Sequence, residues 1–281
     1  MKRFLFIFSL TIALLSSTAA SFSSEARQVR VVSLAPATTE ILFALGLDEE
    51  IVGVSRFCNY PAATRLREKV GTFSQPNIEK IISLRPDIIF CTGLEQASSI
   101  AKLRQLGLNV FVSDPSDFEG LFVSVRRMGA FLDRPAHAAA LIEEMRAGIE
   151  TVRAKTAAVP PAKRPKVFVE LWGSPLTTAG KGSFVDEMIA LAGGVNIAYD
   201  VRRPYGNFSV EKVMRRDPDC IVVAYMLKAG AAGMVAGRFG WSGIAAVKSG
   251  RVYDDIDPDI LLRPGPRLID GLRELHRRFY P

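Results

Sequence analysis

The residues best suited to bind a ligand are aromatic and basic side chains that directly follow predicted strands. In open α/β sheets, ligands bind at the carboxyl ends of the strands, so these positions are expected to meet at one edge. Flat aromatic faces with a few arginines suit a large, partly planar ligand that has polar or anionic edges. The alternative is that each aromatic ring packs inward beneath its loop. The candidate ligand-binding residues are Pro36, Arg56, Phe57, Tyr60, Trp172, Tyr205, Tyr225 and Arg263.

Two glutamates, Glu79 and Glu211, occupy equivalent places in an internal repeat. Residues 79–89 read EKIISLRPDII, and residues 211–221 read EKVMRRDPDCI. An acidic residue in the first turn of a helix interacts favourably with the helix dipole, which is sufficient to explain both glutamates. The functional alternative is that the repeat places one carboxylate on the outer face of each lobe, where the pair docks on a partner with two basic pockets. The residues alone leave both interpretations open.

Known catalytic and nucleotide-binding patterns are missing from the sequence. No G-x-S-x-G motif is present, no G-x-G-x-x-G follows a predicted strand, and residues 180–183, GKGS, do not fit the phosphate-loop pattern. The chain has two histidines, His137 and His276, which excludes a metal site built on three histidines. We therefore expect a protein that is not an enzyme and has no cofactor or metal site. The remote alternative is an exported two-lobe hydrolase, which turnover of a bound ligand would support.

The composition is that of a folded globular protein. The 281 residues are 48% hydrophobic and 23% charged, and the net charge of +7 comes from scattered basic residues. A nucleic-acid-binding protein usually concentrates its basic residues, so no nucleic-acid partner is expected. Three cysteines are too few for a disulfide framework. Cys58 and Cys91 both fall near strand ends of the first half, however, where a pair could form.

The first 26 residues have the pattern of a secretory signal peptide. Lys2 and Arg3 precede an apolar stretch over residues 4–15, and small residues follow, with cleavage expected after Ala20 or Ala26. As a helix, the apolar stretch is about 18 Å long, which is too short for a hydrocarbon core of about 30 Å. We therefore expect an exported protein that is not embedded in the membrane. Since no cysteine lies near the cleavage region, no lipid anchor is expected either.

Two similar halves and one long helix have to position the candidate residues. Short apolar runs alternate with helical patterns from residue 29 and again from Lys166, which predicts mainly parallel sheets built from βαβ units. Residues 134–160 are rich in good helix formers and end in prolines, which predicts one continuous helix. The expected fold class is therefore α/β, with two lobes, 27–133 and 161–281, joined by a single long α-helix. The alternative is an ordinary crossover helix inside one large sheet.

Several short motifs follow one another in a distinctive order along the mature chain. They are VVSLAP at 31–36, TEIL at 39–42, IVGVS at 51–55, YP at 60–61, NIE at 77–79, RPD at 85–87, AGGVN at 192–196, SVE at 209–211 and RPGPR at 263–267. With this order and spacing, the chain resembles the periplasmic substrate-binding proteins of ABC importers. Within them, it is similar to the helical-backbone class that binds vitamin B12, haem and ferric siderophores.

The resemblance implies a fold, a location and a set of partners. The fold would be two Rossmann-like lobes bridged by one helix, with the ligand between them and only a small opening movement. Glu79 and Glu211 match the two carboxylates that meet arginines on the transmembrane subunits of the importer. The expected partners are those subunits and a small-molecule ligand, and the protein is expected to act in the periplasm as a monomer.

The resemblance is strongest to vitamin B12-binding proteins, which implies a corrinoid ligand. Tyr60, Tyr205 and Arg263 match cleft positions of those proteins, whereas two of their cleft tryptophans are replaced here by Phe73 and by residues 92–94, TGL. Tyr60 also matches the position at which some haem-binding relatives place an axial tyrosine, so haem and ferric siderophores are the alternative ligands. Related zinc and manganese receptors use several histidines, which this chain lacks.

Overall fold

The computed structural model describes residues 28–93, 96–225 and 230–281. The predicted signal peptide, residues 1–26, lies outside the described residues. Within the described ranges the chain forms two α/β lobes, each built around its own sheet. The predicted fold class, two lobes with mainly parallel sheets, is confirmed.

The first lobe is a five-stranded sheet in which every pair of neighbouring strands is parallel. Its elements in chain order are β1 Val31–Ser33, α1 Pro36–Ala44, β2 Ile51–Val54, β3 Glu68–Lys69, α2 Ile78–Ser83, β4 Ile88–Cys91, α3 Ala97–Gln105, β5 Val110–Val112 and α4 Phe118–Phe131. The strand order is β3-β2-β1-β4-β5. Alternate residues of β4 enter two different apolar clusters, Phe90 with α1 and α4, and Ile89 with α2 and α3. Helices therefore cover both faces, which explains why the strand is apolar throughout.

The second lobe has a similar α/β arrangement, with one antiparallel hairpin added to its sheet. Its elements are β6 Lys166–Gly173, β7 Leu176–Ala179, α6 Phe184–Leu191, β8 Val195–Asn196, β9 Tyr205–Asn207, α7 Val210–Arg216, β10 Cys220–Val223, α8 Ala231–Ala236, α9 Ala245–Lys248, β11 Val252–Tyr253, α10 Asp259–Leu262 and α11 Leu268–Phe279. The strand order is β11-β10-β6-β7-β9, and β8 pairs with β6. Strand β7 is antiparallel to both β6 and β9, whereas the other pairs are parallel. The sequence analysis did not foresee this strand.

One long helix, α5 (Pro135–Ala157), connects the lobes. It has 23 residues and is about 34 Å long. Pro135 stands in its first turn, where the missing N–H of proline costs no helical hydrogen bond. The helix packs against α4 of the first lobe and against α6 and α11 of the second. Its buried residues Leu141, Met145 and Val152 belong to an apolar cluster that continues from one lobe into the other, so the helix is part of a shared core.

The predicted repeat is present as repeated helix caps. Asn77 begins α2 by accepting a hydrogen bond from the Lys80 backbone N–H at 3.0 Å. Ser209 begins α7 in the same way, accepting from the Lys212 backbone N–H at 3.1 Å. Both caps satisfy a backbone donor that the helix itself leaves unpaired.

The aspartates of the repeat also make equivalent contacts. Asp87 accepts a hydrogen bond from the backbone N–H of Arg30 at 2.8 Å, just before β1. Asp219 accepts one from the backbone N–H of Lys166, the first residue of β6, at the same distance. Each aspartate therefore holds the start of its lobe's central strand, β1 or β6, beside the strand that the aspartate precedes, β4 or β10.

The three cysteines of the chain, all of them described, carry free and buried thiols. No disulfide joins Cys58 to Cys91, contrary to the pairing considered from the sequence. The Cys58 sulfur lies instead 3.1 Å from Thr39 Oγ1 and 3.4 Å from Ser55 Oγ. Burial raises the pKa of the Cys58 thiol, and it raises the pKa of Cys91 and of Cys220 to about 12.

Candidate ligand-binding cleft between the lobes

The carboxyl edges of the two sheets meet at the boundary between the lobes. Asn59, in the loop after β2, donates from Nδ2 to Asp259 Oδ2 at 3.0 Å. Its Oδ1 accepts a hydrogen bond from Arg263 Nη1 at 2.6 Å. Asp259 and Arg263 belong to the segment that follows β11, at the carboxyl edge of the second sheet. We therefore place the candidate cleft at this boundary.

The wall from the first lobe presents exposed side chains after β1 and β2. Pro36 is half-buried at the start of α1, and Arg56 is exposed. The side chains of Phe57 and Tyr60 are 54% and 47% exposed, so neither packs beneath its loop. The Arg267 guanidinium, from the second lobe, lies 4.2 Å from the centre of the Tyr60 ring, a cation–π contact.

The wall from the second lobe carries Trp172 and Tyr225. Trp172 stands near the end of β6 and is 56% exposed, whereas Tyr225 follows β10 and is half-buried. Their ring centres lie 6.3 Å apart. Because β6 and β10 are parallel neighbours, these two side chains leave the sheet at the same edge.

Tyr205 lies away from the carboxyl edge of the second sheet, where the other predicted residues of this lobe lie. The sequence analysis placed it in a loop at a strand end, whereas it is the first residue of β9 and pairs with Ala179. Strand β9 reaches the carboxyl edge only at Asn207, which pairs with Thr177 near the turn of the β6–β7 hairpin. Tyr205 therefore stands about 7 Å along the strand from that edge, with its ring exposed on the outermost strand.

Arg263 is largely engaged by the lobe interface. Its Nη2 lies 2.8 Å from Asp259 Oδ1, and its Nη1 donates to Asn59 and lies 3.4 Å from Glu40 Oε1. The structure therefore brings the arginine to the boundary where it was predicted, but surrounds its charge with carboxylates. Its predicted contact with a ligand remains a prediction.

Glu40, which the sequence analysis did not single out, is the central residue of that interface. Its carboxylate belongs to α1 and is only 2% exposed, yet its partners come from the second lobe. Arg267 donates from Nε to Oε2 at 2.9 Å and from Nη2 to Oε1 at 2.6 Å. These hydrogen bonds raise the pKa of Arg267 further above its usual value. The sequence held one signal for this pair. Glu40 is an acidic residue inside the otherwise mainly apolar motif TEIL, and Arg267 ends the motif RPGPR.

Glu187 is the counterpart of Glu40 in the second lobe. It stands in DEMI of α6 as Glu40 stands in TEIL of α1, and each helix is followed by a glycine with positive φ, Gly46 or Gly193. Glu187 Oε2 accepts a hydrogen bond from the backbone N–H of Phe118, the first residue of α4 in the first lobe, at 3.0 Å. Each lobe therefore extends one carboxylate to the last helical segment of the other.

The two glutamates considered for docking occupy equivalent positions. Glu79 is the second residue of α2 and Glu211 is the second residue of α7, and both are exposed. A hydrogen bond from its own backbone N–H, followed by one from Ser209, lowers the pKa of Glu211. This carboxylate is therefore held in its charged form at the first turn of the helix.

The described residues show no arrangement of three or more His, Cys, Asp or Glu side chains that could hold a metal ion. Among the helices in the described ranges, none is long and apolar enough to cross a bilayer. The two-lobe α/β fold, together with the candidate site at the lobe boundary, is typical of a two-lobe binding protein.

Comparison with known proteins places this chain in a family. A family model described as periplasmic binding protein matches residues 31–258, and the chain belongs to this family. The uncharacterized ABC transporter substrate-binding lipoprotein YvrC of Bacillus subtilis (strain 168) is 35% identical over 257 residues, which cover 90% of this chain and 80% of that protein. The vitamin B12-binding protein of Yersinia pseudotuberculosis serotype O:3 (strain YPIII) is 32% identical over 196 residues, 69% of each chain.

Solved structures with the same fold bind different ligands. The periplasmic vitamin B12-binding protein BtuF of Vibrio cholerae matches with a TM-score of 0.75 and 28% identity, over 89% of this chain and 96% of that one. A periplasmic haem-binding protein of Pseudomonas aeruginosa matches with a TM-score of 0.77 and 30% identity, over 90% and 92%. The predicted resemblance to substrate-binding proteins of ABC importers is confirmed. Proteins of this family bind their substrates outside the cytoplasm and pass them to a transporter, and they are not enzymes.

Proposed function

We propose that the protein captures a corrinoid, a vitamin B12-like molecule, between its lobes and delivers it to the transmembrane subunits of an ABC importer. The observation that carries this proposal is the set of aromatic faces on both sides of the boundary, Phe57 and Tyr60 on one wall, Trp172 and Tyr225 on the other. A broad macrocycle buries apolar surface against such faces. The relatives named as vitamin B12-binding proteins support the same ligand.

Delivery rests on the two equivalent glutamates. Glu79 and Glu211 stand at the first turns of exposed helices in different lobes, where carboxylates can form charge-assisted hydrogen bonds with arginines of a membrane partner. The predicted signal peptide supports a periplasmic location for this step. The loaded monomer docks, and the importer then releases the ligand.

Haem is the second candidate ligand, and one contact favours it. The phenol of Tyr60 is exposed at the boundary, and the Arg267 guanidinium lies over its ring. A tyrosine oxygen can serve as an axial ligand of haem iron, and the contact with Arg267 fixes the orientation of the ring. In this case Tyr60 is the axial ligand.

Calorimetric titration of the mature protein with cyanocobalamin, and in parallel with hemin, distinguishes the two ligands. The corrinoid proposal predicts a tight one-to-one isotherm with cyanocobalamin. Haem transport predicts no heat with cyanocobalamin, and a Soret shift with hemin that Tyr60→Phe removes. Silence with both ligands contradicts both candidates and directs the search to ferric siderophores, and chemical turnover of a bound ligand points instead to the hydrolase.

A further inference from the structure

The wall from the second lobe contains a buried carboxylate that accepts hydrogen bonds from an arginine and a tyrosine. Glu170, in β6, is fully buried. Its Oε2 accepts a hydrogen bond from Arg238 Nη1 at 2.6 Å, and its Oε1 accepts one from Arg238 Nη2 at 2.5 Å. The hydroxyl of Tyr225 donates to the same Oε1. We refer to Glu170, Trp172, Tyr225 and Arg238 as the acceptor wall.

The positive charge of the acceptor wall is neutralised inside it. Arg238 is 24% exposed, and both of its terminal nitrogens point to the Glu170 carboxylate in a bidentate pair. Its guanidinium also lies 4.8 Å from the centre of the buried Trp241 ring. A ligand carboxylate that approached Arg238 would have to compete with a carboxylate that is already in place and shielded from water.

The aromatic donors of the wall are also in use. Trp172 donates its indole N–H to the carbonyl oxygen of Ser174, at 2.8 Å, within the β6–β7 hairpin. Burial, followed by the hydrogen bond to Glu170, raises the pKa of Tyr225 to about 12, so its hydroxyl keeps its proton at neutral pH. That proton is donated to Glu170.

The Tyr225 oxygen is only weakly engaged as an acceptor. The phenol hydroxyl donates its proton to Glu170, and within the described ranges the hydrogen bond that its oxygen accepts is a long one, from Arg238 Nη2 at 3.3 Å, which a ligand donor can replace. Next to it stands the exposed face of Trp172. The wall therefore offers an aromatic surface and an acceptor, with its own donors satisfied internally.

We infer that the acceptor wall selects ligands that present N–H donors and apolar faces, and discriminates against ligands that present carboxylates. The ligand class is an uncharged, amide-bearing macrocycle. A carboxylate held here meets an acceptor where it needs a donor, and it loses the hydrogen bonds that it has in water. The periphery of a corrinoid carries amide N–H groups, whereas the polar edge of haem carries carboxylates. This inference rests on the proposed function, because it places the ligand between the lobes.

The test compares cyanocobalamin with corrinoids that differ from it at one group. Calorimetry measures cyanocobalamin and a derivative in which one peripheral amide is hydrolysed to a carboxylate, with each of the three amide-hydrolysis isomers used separately. We expect at least one isomer to bind about tenfold more weakly than the intact amide. We also expect Tyr225→Phe, which removes the acceptor, to weaken cyanocobalamin about tenfold and to reduce that discrimination. Tyr199→Phe is the matched control, an exposed tyrosine that contacts Arg216 outside the acceptor wall, and it should change neither affinity.

The outcomes separate this inference from the proposed function. If cyanocobalamin binds, but all isomers bind equally and Tyr225→Phe has no effect in a folded protein, the inference is wrong and the proposed function stands. If hemin binds in place of cyanocobalamin, the corrinoid proposal and this inference are both wrong. If neither binds, the corrinoid proposal fails, and the same comparison is made between a neutral, amide-rich ferric hydroxamate and ferric citrate. Preference for the citrate complex, or binding of neither, then overturns the inference as well.

Discussion

The ion pair between Glu40 and Arg267 is the contact with the most consequence for a single residue. A carboxylate that is 2% exposed depends on its partner, since water cannot solvate it. Removing one member of such a pair costs about 3–5 kcal/mol, because the other charge is left buried and uncompensated. Arg263, 3.4 Å from Glu40, relieves part of that cost.

Arg267→Met removes the charge but keeps most of the side-chain volume. We expect it to lower the free energy of unfolding by about 2–4 kcal/mol, measured by urea denaturation at neutral pH. Arg273→Met, at an exposed position of α11, the helix that begins directly after Arg267, is the matched control and should change the value by less than about 0.5 kcal/mol. Equal effects of the two substitutions would show that the buried pair does not stabilise the interface.

Glu187 makes stability depend on pH in the opposite sense to most carboxylates. Burial is the main cause of its raised pKa, and the negative charges of Asp117 and Glu119 act in the same direction. The folded state therefore holds the proton to higher pH than the unfolded state does. Its contribution to stability is full below the unfolded pKa and is lost as the pH rises through the folded value.

Glu187→Gln tests this contribution. As the pH rises, the natural protein loses this contribution and the variant does not, so the free energy of unfolding of the variant should increase relative to that of the natural protein. Urea denaturation at several pH values between pH 4 and pH 7 measures the difference. The amide oxygen of glutamine can still accept from the Phe118 N–H, so the contact is kept. A difference between the two proteins that stays constant over this range contradicts the assignment.

Among the secondary-structure elements, the packing of α5 against α11 depends on a glycine. A Cβ atom at Gly148 would lie 2.4 Å from Ile269 Cγ2, so the two helices approach too closely for a larger residue. Elsewhere in a helix, replacing glycine would be favourable by about 1 kcal/mol. Here the close approach of α5 and α11 makes the replacement of the glycine destabilising instead.

Gly148→Val should lower the free energy of unfolding by about 1–3 kcal/mol, because the added side chain forces α11 away from α5. Thermal or urea unfolding measures the effect. Ala147→Val, at the neighbouring exposed position of the same helix, is the control and should change stability by less than about 1 kcal/mol. If both variants unfold alike, the close contact is not limiting.

The elements that the sequence predicted well are those with local signals. Asn77 and Ser209 identified the starts of α2 and α7, since a cap is specified by residues within one turn. Strand β7 was missed because it is short and pairs antiparallel with β6, whereas the alternation of strands and helices predicted parallel pairs. The pairing of Glu40 with Arg267 was missed because it joins residues 227 positions apart in the chain, and no local pattern specifies such a contact.

At the scale of the whole molecule, the lobe boundary is held by equivalent contacts in both directions. Glu40 reaches the start of α11, and Glu187 reaches the start of α4. An edge-to-face contact between Phe118 and Phe184, with ring centres 5.8 Å apart, lies beside the second of them. Together with the shared apolar core, these contacts oppose relative movement of the lobes, and the small opening that the resemblance implies stays a prediction.

The docking proposal also belongs to this scale, because it needs one glutamate from each lobe. Charge reversal at both, Glu79→Lys with Glu211→Lys, should abolish ligand uptake by vesicles that contain the importer and leave calorimetric ligand affinity unchanged. Glu143→Lys with Glu150→Lys is the control, since it makes the same charge change at exposed positions of α5. A loss of ligand affinity in the first double variant contradicts a docking role.

If the predicted signal peptide directs export, the three buried thiols require a definite order of folding and oxidation. An oxidising compartment pairs exposed cysteines, and Cys91 and Cys220 belong to different sheets, so a disulfide between them is incompatible with the native lobes. An exported chain must therefore bury its sulfur atoms faster than the compartment oxidises them. Once it has folded, the same burial keeps the thiols reduced without a reductant, because almost none is ionised at neutral pH.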